Sequence, residues 1–117
     1  MAADLPTFYL KRGCSGCDAA RKWLAQHGVQ VREREIFRQP LMVSEIENLI
    51  AERPLSDVLS TRTNQYAARG LNQRPHSEAE LLRHMEAEPR LLRRPLLKSG
   101  TLLLVGFDAA RWAEALL

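Results

Sequence analysis

The sequence is poor in cysteine and lacks long apolar runs. Only 2 of its 117 residues are cysteine, which excludes a small secreted domain held together by several disulfides. The longest apolar run, residues 102–105, is far shorter than the roughly 20 residues that a membrane-spanning helix needs. The opening MAADLPTFYL has no basic segment followed by an apolar stretch, as a secretory leader would. We therefore expect a cytoplasmic protein with no membrane partner.

Neither sign of charge is in large excess. The 17 Lys and Arg residues outnumber the 14 Asp and Glu residues by only 3, and both kinds are scattered along the chain. No segment has the concentrated positive charge of a nucleic-acid-binding tail, so direct binding to nucleic acid is not expected. With 45% hydrophobic residues, the chain has enough apolar side chains for one core. We predict a single domain over residues 1–117.

The beginning of the chain has the pattern of a strand, a helix and a second strand. Residues 7–10 form a short apolar run that ends in a polar loop. Apolar residues then recur every three to four positions, which predicts a helix over residues 15–27 stopped by Gly28. The alternation over residues 29–36 predicts a second strand, parallel to the first.

Helix signals follow in the middle of the chain. Ser44 with Glu47 and Ser77 with Glu80 have the spacing of capping boxes, and each precedes apolar residues at helical spacing. The segment 55–69 is predicted to contain one or two short helices.

The end of the chain returns to strands. Residues 95–97 and 101–105 flank Lys98-Ser99-Gly100 and predict a β-hairpin, followed by a helix over residues 108–116. We therefore predict an α/β, thioredoxin-like fold with a four-stranded mixed sheet built as βαβ and then ββα. Residues 1–37 and 90–117 form the thioredoxin core of this prediction, and residues 41–89 form an all-helical insertion.

The two cysteines form the segment Cys14-Ser15-Gly16-Cys17 between the first strand and the first helix. In that context a C-x-x-C segment indicates a redox pair rather than half of a zinc site. The three histidines lack zinc-ligand spacing, so no metal site is predicted. Free amides and the positive end of the helix should lower the pKa of Cys14, and Cys17 lies one turn away. We predict that Cys14 is the nucleophile and Cys17 the resolving thiol.

The alternative is that both cysteines are small, inert core residues. The neighbouring Gly13 and Gly16 favour a tight loop with exposed amides, which an inert core position would not require. Spacing alone favours solvated side chains for Arg62 and Arg94. Pro95 is a candidate cis proline, and a cis bond there would place Arg94 beside the thiol loop.

These residues together resemble the ArsC/Spx family of thioredoxin-fold proteins, which includes glutaredoxin-coupled arsenate reductases and the Spx transcriptional regulators. The likeness covers nearly the whole chain. Its motifs are Phe8-Tyr9, Cys14-x-x-Cys17 with Ala20-Arg21-Lys22-Trp23-Leu24, Ile36-Phe37 with Pro40-Leu41, Leu59-Ser60-Thr61-Arg62, Leu91-Leu92-Arg93-Arg94-Pro95 and Val105-Gly106-Phe107.

The resemblance implies roles for these residues. It makes Cys14 the active cysteine and Pro95 the cis proline, and it implies that Arg62 and Arg94 surround a bound oxyanion. Val105 stands where the arsenate reductases have a further arginine. The internal pair with Cys17 is similar to the Spx pattern, whereas the reductases rely on an outside thiol for resolution.

Two functions are expected from this resemblance, and a third reading stays open. The first is an arsenate reductase-like thiol-disulfide oxidoreductase, which needs no metal or organic cofactor and takes electrons from glutathione with glutaredoxin, or from thioredoxin. The second is an Spx-like redox-sensing regulator that binds the RNA polymerase α subunit. In the third, the fold persists while its chemistry has lapsed.

Overall fold

A computed structural model of the chain describes residues 4–117. The first three residues, which the leader prediction includes, lie outside the described residues. The chain divides into two compact units, one made of Met1–Gln39 with Arg94–Leu117 and the other of Pro40–Arg93. The prediction of one domain over residues 1–117 stays a prediction. None of the helices within residues 4–117 has the length and apolar character needed to cross a membrane.

The first unit contains all four strands of one mixed sheet. Its strands lie in the order β2-β1-β3-β4, with β1 parallel to β2 and the other neighbours antiparallel. The elements are β1 (Thr7–Leu10), α1 (Ser15–Gln26), β2 (Arg32–Glu35), β3 (Leu96–Ser99), β4 (Leu102–Val105) and α5 (Ala109–Leu116). This arrangement confirms the predicted α/β, thioredoxin-like sheet built as βαβ and then ββα.

A hydrophobic cluster of this unit lies on one face of the sheet. Phe8 of β1 is opposite Leu97 of β3, which is opposite Leu104 of β4, so the three side chains share a face. Trp112 of α5 meets the ring of Phe8 edge-on at 6.2 Å and that of Trp23 of α1 at 6.3 Å. Both helices therefore pack on this face.

The second unit is built from helices, as predicted for the insertion. Within residues 40–93 its elements are α2 (Val43–Ile50), a 3-10 turn (Leu55–Asp57), α3 (Asn64–Ala68), α4 (Glu78–Ala87) and a second 3-10 turn (Pro89–Leu91). Apolar residues of α2 and α4, including Ile46, Leu49, Leu82 and Met85, are buried. The prediction of one or two short helices between residues 55 and 69 is confirmed by the 3-10 turn Leu55–Asp57 and by α3.

Of the two predicted capping boxes, one is confirmed and one is wrong. The Ser77 hydroxyl accepts the N–H of Glu80 at 3.1 Å, and the Glu80 carboxylate accepts the N–H of Ser77 at 3.1 Å. The box at Ser44 is absent because α2 begins at Val43, two residues earlier than that box requires. The Glu45 carboxylate accepts the N–H of Met42 at 3.0 Å, and Met42 is the cap.

Two strand predictions also need correction. The second strand is shorter than residues 29–36, because only Arg32–Glu35 pair with the four residues of β1. The hairpin turn is shorter than Lys98-Ser99-Gly100, because Ser99 still pairs with Leu102. The turn consists of Gly100 and Thr101, and Gly100 has a φ of +57°.

Candidate functional site

Cys14 and Cys17 lie at the beginning of α1. Cys14 is the residue before the helix and has an extended backbone, and its sulfur caps the helix. The backbone N–H of Cys17 donates to Cys14 Sγ, with a nitrogen–sulfur distance of 3.3 Å. The first turn is closed by the N–H of Asp18, which donates to the Cys14 carbonyl at 2.9 Å. The sulfur of Cys14 thus lies at the positive end of the helix dipole.

The two glycines of the thiol loop have different conformations. Gly13 has a φ of +80°, in the left-handed region that favours glycine. Gly16 does not, but a Cβ at this position would lie 3.6 Å from Cδ of Pro95. Pro95 therefore lies directly beside the thiol loop.

The two thiols differ in burial. Cys14 is partly exposed, whereas Cys17 is 0% exposed and packs in the core with Ala20 and Trp23. Both cysteines are free thiols in this structure. A substrate can therefore approach Cys14 but not Cys17.

The surroundings of Cys14 favour its thiolate. Burial on its own would raise the pKa of the Cys14 thiol. Hydrogen bonds with Cys17 and the charge and hydrogen bond of the Arg94 guanidinium oppose this effect. They hold the pKa of Cys14 below its ordinary value of 9.0. This is the direction that a nucleophilic cysteine requires.

Cys17 has the opposite character. Burial, followed by its hydrogen bond with Cys14 and the negative charge on that sulfur, raises the pKa of Cys17 to about 12. Of the two thiols, Cys14 therefore loses its proton first, and Cys17 stays protonated at neutral pH. A thiol of high pKa is a poor attacking group in the resting protein, which leaves the first attack to Cys14.

Arg94 and Pro95 come immediately before the third strand. The peptide bond between them is cis, as the sequence predicted. Pro95 is buried, and its carbonyl accepts the N–H of Gly106 at 2.8 Å. Val105 pairs with Leu96, the residue after this proline. The residue that the resemblance aligns with an arginine of the reductases is therefore an apolar one that pairs with Leu96.

Arg62 belongs to the second unit. Its side chain is exposed, and it lines a pocket of about 300 Å³ together with Ser60, Thr61 and Arg93. Its predicted part in binding an oxyanion stays a prediction.

The first unit also contains a charged pocket, which the sequence did not predict. It has a volume of about 390 Å³ and is lined by Arg12, Arg21, Glu33, Glu35 and Arg38, among others. The alternation of arginine and glutamate along β2 is the sequence signal, but on its own it is typical of a solvent-exposed edge strand.

Comparison with known proteins gives matches over nearly the whole chain. The model of the ArsC family matches residues 9–115. The global transcriptional regulator Spx of Bacillus subtilis (strain 168) is 32% identical over 104 residues, which cover 87% of this chain and 79% of that protein. The Spx protein of Enterococcus faecalis is 31% identical, and the match again covers 87% of this chain and 79% of that protein.

Solved structures share the fold. An arsenate reductase from Vibrio cholerae superimposes with a TM-score of 0.86 at 17% identity, covering 98% of this chain and all of the other. An arsenate reductase (ArsC) related protein from Brucella melitensis gives a TM-score of 0.74 at 22% identity, covering 99% of this chain and 97% of the other. These structures support the thioredoxin-like architecture.

Proposed function

Because the chain belongs to the ArsC family, we propose that it is an arsenate reductase-like thiol-disulfide oxidoreductase that uses Cys14 and Cys17 as its redox pair. One observation carries this proposal. The amide of Cys17 donates to Cys14 Sγ at the start of α1, and the positive charge of Arg94 acts on the same sulfur. Charge-assisted hydrogen bonds of this kind stabilise a thiolate before any substrate arrives.

The reaction has two exchange steps. The Cys14 thiolate attacks one sulfur of a disulfide substrate, a bond forms between the two sulfurs, and the first substrate thiolate leaves. Cys17 then gives up its proton and attacks Cys14 Sγ, and the second substrate thiol leaves as the Cys14–Cys17 disulfide forms. The substrate gains two electrons and ends as two thiols, and the protein is oxidised by the same two electrons.

The cycle needs an external dithiol or thiol reductant. The proposed donor is thioredoxin, or glutathione with glutaredoxin, and it returns the two electrons to the Cys14–Cys17 disulfide. Neither a metal nor an organic cofactor has a part in these steps. The buried position of Cys17 supports the order in which Cys14 is attacked first from outside.

Val105 bears on the choice of oxidised substrate. Its apolar side chain supplies no charge for arsenate, and the pair Cys14 and Cys17 supplies both sulfurs that a disulfide substrate needs. We therefore propose that disulfides are turned over faster than arsenate.

A coupled assay tests this function. NADPH oxidation is followed with either donor system, using 2-hydroxyethyl disulfide in one series and arsenate in another. We expect turnover of the disulfide above the donor background, and its loss in the Cys14→Ser variant. A wild-type rate no higher than that of Cys14→Ser would contradict the proposal.

A second candidate is a redox-sensing regulator similar to Spx. The observation that favours it is the 30–32% identity to Spx proteins over 87% of the chain, which exceeds the identity to the arsenate reductase structures. In this function, formation of the Cys14–Cys17 disulfide changes the affinity of the chain for the RNA polymerase α subunit.

Binding to the purified α subunit separates the two functions. The chain is immobilised in the reduced form and, separately, after oxidation with diamide, and retention of the α subunit is measured. Retention that depends on the redox state, and that is lost in Cys17→Ser, supports the regulator. No retention in either state removes it.

A further inference from the structure

The charged pocket of the first unit lies against the end of β1. Leu10, the last residue of that strand, forms part of its wall, and the volume of about 390 Å³ is in the range of small-molecule sites. The turn that carries Arg38 is fixed by the N–H of Gln39, which donates to the Glu35 carbonyl at 2.9 Å. The pocket is therefore framed by backbone hydrogen bonds and the end of a strand.

The two carboxylates of this pocket already accept hydrogen bonds from other groups of the protein. The Glu33 carboxylate accepts two hydrogen bonds from Arg21, at 2.7 and 2.9 Å, in a bidentate pair. The Glu35 carboxylate accepts the N–H of Phe37 at 2.9 Å. These contacts hold both carboxylates in place and neutralise one of them.

Two arginines of the pocket are not paired with a carboxylate in this way. Within residues 4–117, neither Arg12 nor Arg38 has a carboxylate within ion-pair distance. A guanidinium presents a planar fork of donors that matches a carboxylate. The pocket therefore has an excess of donors for an anionic group.

The pocket is close to the reactive sulfur along the chain. Arg12 is two residues before Cys14, and two residues of chain span at most about 7 Å. The loop between them is fixed, because the N–H of Cys14 donates to the Lys11 carbonyl at 3.3 Å. The Cα atoms of Arg12 and Cys14 are therefore within the length of a small disulfide that has a carboxylate a few bonds from its sulfur.

We propose that Arg12 and Arg38 bind the carboxylate of a small anionic disulfide while Cys14 attacks its sulfur. This inference rests on the proposed oxidoreductase function and names its substrate class. Arg12 and Arg38 are specificity residues in this role and take no part in the exchange of sulfurs.

Three disulfides of similar size that differ in charge test the inference. They are 3,3′-dithiodipropionate, which is anionic, 2-hydroxyethyl disulfide, which is neutral, and cystamine, which is cationic. We expect kcat/KM to fall in that order. Arg12→Gln and Arg38→Gln should each lower kcat/KM for the anionic disulfide about fivefold, mainly through KM, and leave the neutral one unchanged. Added salt should reduce the preference.

Arg32→Gln is the matched control. It removes the same charge from an exposed position of β2 that does not line the pocket. We expect no change in the preference. Equal kcat/KM for the three disulfides, or a preference for the anionic one that survives in Arg12→Gln/Arg38→Gln, would overturn the inference.

A binding measurement separates this inference from the oxidoreductase function. In the Cys14→Ser variant, 3,3′-dithiodipropionate is titrated and backbone amide shifts are followed by NMR. Shifts in residues 10–12 and 33–39 that vanish in Cys14→Ser/Arg38→Gln support the pocket even if no disulfide is turned over. Absence of these shifts overturns the pocket even if the neutral disulfide is reduced.

Discussion

Gly16 of the thiol loop lies so near Pro95 that a Cβ on Gly16 would be 3.6 Å from Cδ of Pro95. This is an ordinary van der Waals distance, and the backbone of Gly16 is outside the left-handed region. Gly16→Ala should therefore be accepted, with a change in the free energy of unfolding of less than about 1 kcal/mol. Urea unfolding of the reduced protein measures this change.

Gly13 provides the contrast within the same loop. Its φ of +80° is unfavourable for any residue with a Cβ, although within residues 4–117 no atom beyond the two neighbouring residues lies within 4 Å of the place that a Cβ would take. We expect Gly13→Ala to lower the free energy of unfolding by about 1–2 kcal/mol. Equal effects of the two substitutions would mean that the loop relaxes and that the two glycines are equivalent.

The effect of Arg94 on Cys14 can be measured directly. Replacing Arg94 by Gln removes its positive charge and should raise the pKa of the Cys14 thiol, because burial then opposes the thiolate with less compensation. The rate of alkylation by iodoacetamide is followed against pH, and mass spectrometry separates the Cys14 peptide from the Cys17 peptide.

Arg111→Gln is a suitable control for this titration, since Arg111 is exposed on α5. It should leave the alkylation profile of Cys14 unchanged. A wild-type Cys14 whose pKa is no lower than that of a free thiol would favour the reading in which the fold persists and its chemistry has lapsed.

The main features of the first unit could be predicted because they depend on local sequence. The spacing of Cys14 and Cys17 places one sulfur before the helix and the other inside it, which any helix beginning at residue 15 would do. The cis bond at Pro95 was predictable because only X-Pro bonds adopt cis at low cost. The sheet followed from the order of its elements.

The features that were missed depend on contacts between distant residues. The start of α2 was placed wrongly at Ser44, and part of the reason is tertiary. The N–H of Val43 donates to the carboxylate of Glu86 at 2.8 Å, and Glu45 supplies the cap at Met42. A donor to a partner 43 residues away has no local signature. The charged pocket was missed for the same reason, since β1, α1 and β2 form it jointly.

Cys17 should make stability depend on pH in the alkaline range. Its folded pKa of about 12 lies above the ordinary value of 9.0, so the folded state holds a proton that the unfolded state loses. The stability is therefore fully present below pH 9 and is lost as pH rises toward 12, by about 1.4 kcal/mol for each pH unit. Urea unfolding of the reduced protein at pH 8 and pH 10 measures the loss.

Other groups titrate in this range, so the comparison is made with Cys17→Ala. The variant is less stable at every pH because it leaves a small cavity, but the decline between pH 8 and pH 10 should be smaller by about 1 kcal/mol than in the wild type. Parallel pH profiles for the two proteins would show that Cys17 loses its proton at a similar pH in the folded and unfolded chain.

Ser44 and Ser77 both have the sequence signal of a capping box, but replacement by alanine should change the free energy of unfolding differently at the two positions. Ser77 caps α4 and exchanges hydrogen bonds with Glu80, so Ser77→Ala should lower the free energy of unfolding by about 1 kcal/mol. Ser44 is exposed inside α2, where alanine is the better helix former, so Ser44→Ala should be neutral or slightly stabilising. Urea unfolding of both variants decides the matter: a loss at Ser44 as large as that at Ser77 would mean that α2 begins at the capping box that the sequence suggested.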